Sequence, residues 1–188
     1  MQHARLLSLL IAALVAPAAS VAGENPESEA RALAAEFVAT LKPQLKGALQ
    51  SAGPAGAIAV CADIAPQIAD ALSASSGWQV RRVSLQVRNA SRASPDPWER
   101  QVLEDFGRRQ AQGETADTLY LGEETGGHYR YMQAQLVEPL CLVCHGAELS
   151  QPVRQALHEY YPDDTATGYS LGEVRGAISL SRPLATPP

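Results

Sequence analysis

Five consecutive residues, Cys141-Leu142-Val143-Cys144-His145, set two thiols and an imidazole at the C-x-x-C-H spacing. That spacing lets two sulfurs add to the two vinyl groups of one porphyrin while the neighbouring imidazole reaches the iron, which is how haem c is attached. A bare C-x-x-C also reads as half of a zinc site or as a redox dithiol. Structural zinc needs four ligands, usually in paired spacing. The only other cysteine is Cys61, and His128 and His158, the histidines beyond the N-terminal stretch, form no such pair. A thioredoxin-like dithiol opens a helix after a strand of a βαβ unit, and no such pattern surrounds Cys141. The residues favour one covalent haem c, held through Cys141 and Cys144 with His145 as axial ligand.

Haem c is attached outside the cytoplasm, and the N-terminus is consistent with export. His3 and Arg5 precede the apolar run Leu6 to Val15, followed by Pro17 and the small residues Ala18 to Ala22. This pattern predicts a secretory signal peptide over residues 1–22. Residues 23–188 are then expected to form one domain in the periplasm. The apolar run is shorter than the roughly 20 residues that span a bilayer, and no later segment is expected to cross one. The formal charge of −5 becomes more negative once Arg5 is removed, which disfavours nucleic acid and anionic membrane as partners.

The elements that must position the motif follow from periodicity. Asn25-Pro26-Glu27 is an N-cap signal, and apolar residues from Ala30 to Leu49 recur at helical spacing. Pro43 is expected to kink or split this helix and Gly53-Pro54 to end it. A second helix is predicted from Ala57 to Ala74, carrying Cys61 and stopped by Gly77. Alternation from Trp78 to Val87 predicts a strand, Asn89 to Pro97 a loop, and Trp98 to Gln110 a helix. Leu119 to Leu121 and His128 to Val137 read as strands joined through Gly126-Gly127, the second leading straight into the haem motif. Ser150 to Tyr160 reads as helix, Pro162 to Gly172 as loop and Val174 to Leu180 as a last strand. Helices first and antiparallel strands after predict an α+β domain.

This order differs from that of the small cytochromes. Their downstream methionine ligand does not exist here, because Met1 and Met132 both precede Cys141. A strand-like end after the motif also fits a four-helix cytochrome poorly. For the far face of the iron the candidates are Cys61, Met132, His128, His158, water or nothing. Once Cys141 and Cys144 carry the porphyrin, Cys61 has no intramolecular partner in an oxidising compartment. It is then a buried core residue, a link between chains, or a thiolate on a metal.

The blocks Ala57 to Pro66, Gly77-Trp78 to Asn89, Tyr129 to Met132, Cys141 to Gly146, and Asp164 to Tyr169 with Arg175-Gly176-Ala177 together resemble the exported haem c proteins with a PAS-like fold. The resemblance spans about Glu27 to Leu184. It implies a PAS-like antiparallel sheet with long N-terminal helices and a C-terminal haem c attachment segment. It also implies Cys61 as the second axial ligand opposite His145. Arg81, Arg82, Arg88, Arg130 and Arg175 would then lie on or beside the sheet, where haem propionates need cations. Taken singly, each is more simply a solvent-facing strand residue. Arg130 is the best individual candidate, because it precedes the motif on one extended run, and Tyr129 and Tyr131 share a strand face that would line a haem edge. Met132 is expected in the core, His128 in a turn, His158 on the surface, and Asp163, Asp164 and Glu159 in solvent.

The function expected from this set is redox or diatomic-gas sensing, with NO or CO as the gas. The alternative is a low-potential electron-transfer cytochrome c with a redox partner protein. Enzymatic use as a peroxidase or nitrogen-oxide reductase would need an open distal site with an acid-base residue, and no His-Arg pair suggests one.

Overall fold

The computed structural model describes residues 25–184; the expected signal peptide lies outside them. Helix α1, Pro26–Ser76, opens on Asn25, whose side chain accepts from the Glu27 N–H at 3.0 Å, with Pro26 in the first turn. It closes on Gly77 at φ 74°, the left-handed cap that glycine adopts without a Cβ penalty. A straight helix of its 51 residues would run ~76 Å. Yet Ala30, Ala34 and Phe37 share one buried cluster with Ala65, Ile68, Ala69 and Leu72. The break at Gly53 (φ 68°, ψ −178°), followed by Pro54, folds α1 into a hairpin of two arms. Pro43 does not split the helix. By length and composition, part of α1 is also apolar enough to cross a membrane, where no span beyond the leader was expected.

Strand β1 covers Gln79–Val83, followed by the short helix α2, Ala90–Ala93, and by α3, Pro97–Ala111. A reciprocal capping box between Asp96 and Glu99 starts α3. Strands β2, Tyr120–Thr125, and β3, His128–Leu136, form a hairpin. Helix α4, Pro139–His145, carries the C-x-x-C-H motif, then α5, Gln151–Tyr160, and β4, Val174–Pro183, complete the described chain. The sheet is antiparallel throughout, in the order β1-β4-β3-β2. This is the α+β class expected, with the long N-terminal helix laid against the sheet.

Strand parity divides the buried residues between the two faces. Val80, Tyr129, Tyr131, Ile178 and Leu180 meet α1, whereas Val83, Met132, Ala134 and Ala177 meet Val102, Leu103 and Phe106 of α3. A third cluster docks Val153, Ala156, Leu157 and Tyr161, on and just after α5, against Ile58 of the second arm. β1 is shorter than predicted, because the Ser84 N–H donates to Ala93 O at 3.1 Å instead of continuing the ladder, while its hydroxyl meets the Arg175 and Gln86 carbonyls.

Candidate functional site

Pro139 starts α4 and Cys141 and Cys144 fall three residues apart, on one face of a helix. The motif thus sits on a helix, where the sequence reading left the chain extended into it. Gly146 ends the helix, its N–H donating to Leu142 O at 2.9 Å. A Cβ at Gly146 would stand 2.7 Å from that same carbonyl, so the turn requires glycine for close approach. The following loop then clamps the end of α4. Tyr169 N–H donates to His145 O at 3.0 Å and Gly168 N–H to Gly146 O at 3.1 Å. Thr165 ties the loop to Val87 at 2.9 Å.

The His145 ring is held by this loop. Its Nδ1 lies 2.7 Å from Ala166 O, a contact that assigns the proton to Nδ1 and leaves the Nε2 lone pair free to coordinate. Arg88 Nη1 donates to Nε2 at 3.3 Å, in keeping with a lone pair there, whereas the Arg175 Nε–H directed at Nδ1 at 3.1 Å finds no lone pair in that tautomer. Enclosure by protein, with Arg175 and Arg88 alongside, pushes the imidazole down to about 2, so it is neutral in the fold. Arg88 is anchored to Asp164 by Nε at 3.2 Å and Nη2 at 3.1 Å, and donates to the Cys144 carbonyl at 2.5 Å. Arg175 is buried, donating to Ser84 Oγ at 2.7 Å and to Gln86 O at 3.2 Å.

Cys61, Cys141, Cys144 and His145 all border one cavity of about 670 Å³ between the two arms of α1, the α1 face of the sheet and α4. That volume is in the range of small-molecule and cofactor sites. Its walls include Phe37, Val38, Leu41 and Ile58, with Arg82 among them. All three cysteines are free thiols. Burial pushes the Cys61 thiol up, opposed by Arg82 and Arg88, and burial likewise raises Cys144. The donor set of two thiols one helical turn apart and a neutral imidazole with Nδ1 already bonded suits an iron porphyrin, provided Arg88 yields its Nε2 contact.

Arg130, Tyr129 and Tyr131, the residues expected to line the haem, are not brought to this cavity. Arg130 lies on the α3 face, where it donates to Asp96 at 2.7 Å, lies 3.6 Å from Glu99 and covers the Trp98 ring at 4.2 Å. Tyr129 and Tyr131 are core residues under α1, Tyr129 set edge-on to Trp78 at 6.0 Å and Tyr131 donating to Gln133 at 2.6 Å. None of the three borders the cavity. Met132 is fully buried against α3, His128 is exposed beside its turn and His158 is exposed on α5. Asp164, expected in solvent, is instead the anchor of Arg88. The roles of Asp164 and Ala166 at His145 carry no local sequence signal; Arg88 and Arg175 had one only as members of a set of arginines.

A family model matches residues 18–183 and is described as Tll0287-like: Tll0287. The chain belongs to the Tll0287-like family. Among solved structures it is similar to the crystal structure of the cyanobacterial heme-protein Tll0287, at 24% identity and a TM-score of 0.63. That likeness covers 87% of this chain and 99% of the other, and it establishes a shared fold. No curated protein matches the chain. In this Tll0287-like chain the cavity between α1 and the sheet is where Cys61 and the residues of α4 come together.

Proposed function

We propose that this protein is an exported, single-haem c protein, attached through Cys141 and Cys144, with His145 and Cys61 as axial ligands, and that it senses redox state or a diatomic gas. The observation that carries the reading is the convergence of Cys61 with Cys141, Cys144 and His145, from elements far apart in sequence, on one cavity. That the structurally similar Tll0287 is a cyanobacterial heme-protein supports it. The leader-like residues 1–22 support periplasmic placement.

When bound, haem would supply a redox-active iron able to take up NO or CO. The chain's own contribution is the holding of ligands. Ala166 O fixes the imidazole tautomer, so that Nε2 presents a lone pair without first losing a proton. Arg88 gives up its 3.3 Å contact with Nε2 and keeps Asp164, the Cys144 carbonyl and Ala166 O. Cys61 sits on α1, a different element from His145, so the sulfur and the imidazole can part without α4 leaving its loop. Parting of this kind favours sensing over simple electron transfer, which works best with an unchanged coordination.

The test is production with a haem c maturation system, followed by visible and electron paramagnetic resonance spectra of ferric and ferrous protein with and without CO. Low-spin thiolate signals replaced by a CO adduct on reduction support the sensor. A six-coordinate haem indifferent to CO supports the electron carrier, and a haem-free product overturns both.

A further inference from the structure

Among the described residues, seven cationic ones border the cavity, and six of these have partners. Arg31 lies against Glu27, Lys42 against Glu138, Arg81 against Glu99, Arg88 against Asp164 and Arg92 against Asp70. Arg175 donates to Ser84 Oγ and to Gln86 O. Arg82 is the seventh. Among the described residues, its guanidinium makes no hydrogen bond and has no carboxylate within 4 Å.

Its position follows from strand register. Arg82 pairs with Ile178 of β4 and lies two residues from Val80, both of which meet α1, so its half-buried side chain leaves the sheet on the cavity side. It shares the cavity with the apolar walls formed by Phe37, Val38, Leu41 and Ile58. A guanidinium in such a setting is unfavourable unless the site supplies an anion. Haem c brings two. Its propionates leave the porphyrin on the edge away from the vinyl groups, so attachment through Cys141 and Cys144 turns them away from α4.

We infer that Arg82 binds a haem propionate in this cavity. The inference rests on the haem reading proposed above. A planar guanidinium offers a carboxylate two parallel N–H donors, a geometry that the point charge of lysine reproduces only in part. Arg130, favoured for this role by its place in the sequence, is engaged by Asp96 and Trp98 on the opposite face of the sheet.

The experiment titrates the haem-free full chain with protohaem and with its dimethyl ester, which lacks the propionate charges, and compares wild type with Arg82→Gln, Arg82→Lys and Arg92→Gln. Wild type is expected to bind the diacid at least about tenfold more tightly than the ester. Arg82→Gln should lose most of that preference and Arg82→Lys keep part of it, while Arg92→Gln, at a cation already matched by Asp70, should keep all of it. A preference unchanged in Arg82→Gln, or lost equally in Arg92→Gln, would overturn the inference. In the matured, covalently loaded protein, Arg82→Gln should move the propionate bending mode of the resonance Raman spectrum with haem content unchanged, and an unmoved mode would likewise overturn it. Should Arg82→Gln fail to fold, Arg82→Met, which keeps the packing of the stem, is read by the same criteria. Wild type that binds neither porphyrin overturns the haem reading and the inference with it; wild type that binds both equally overturns the inference alone.

Discussion

Burial, with Arg175 and Arg88 alongside, outweighs the Ala166 carbonyl at His145, and the effect is measurable without haem. The imidazole is neutral in the fold and held down to about 2, whereas the unfolded chain takes a proton near the ordinary 6.5. Below that pH the unfolded state binds the extra proton, so stability is complete above about 6.5 and declines as pH falls toward 2. Urea titration of haem-free protein should show about 1 kcal/mol lost to this group between pH 7.5 and 5.5, with the difference flattened in His145→Gln. Asp164→Ala leaves Arg88, a side chain 12% exposed, without its carboxylate. It should cost about 3 kcal/mol in the same titration at pH 7.5. The thiols and the imidazole were legible because five adjacent residues state them. Arg130 was misplaced for a reason of parity. Neighbours on a strand face opposite ways, so Arg130 cannot share the face of Tyr129 and Tyr131.

At the level of elements, most boundaries were legible from caps and breakers, because those signals are local. Gly53-Pro54 was read as a stop, and it is the point at which α1 turns back on itself. Pro43 was read as a kink or a split, and the helix is not split there, since packing of both arms on the sheet outweighs the lost hydrogen bond. A Cβ at Gly53 would meet nothing within 4 Å, so its φ of 68° is the whole penalty of a side chain. Gly53→Ala should destabilise by about 1 kcal/mol in chemical denaturation, leaving the secondary structure seen by circular dichroism intact. The end of β1 was overestimated, because the alternation of Leu85 and Val87 continues in sequence after the Ser84 N–H has bonded to Ala93 O.

Over the whole molecule, the sheet separates a cavity side from a packing side. Phe106 is fully buried on the α3 side and Phe37 is 1% exposed beside the cavity. Either truncation to alanine should cost about 3 to 5 kcal/mol. The two should differ in a second readout: Phe37→Ala is expected to alter the visible spectrum of the haem-loaded protein and Phe106→Ala to leave it unchanged. The two-sided arrangement itself was not legible, because one sequence shows which residues alternate but not which helix covers which face.

The placement of Cys61 on the α1 hairpin and of His145 on α4 has a mechanical meaning under the proposed ligation. A bond from sulfur through iron to imidazole closes the chain from the second arm of α1 to the end of α4 into a ring, a constraint on the unfolded ensemble worth ~4 kcal/mol if the bond persists on unfolding. Release of the sulfur would cut that ring while the thioethers stay in place. The state of the iron would then be written into the tension between the hairpin and the sheet, as a looser or tighter molecule that a partner can feel.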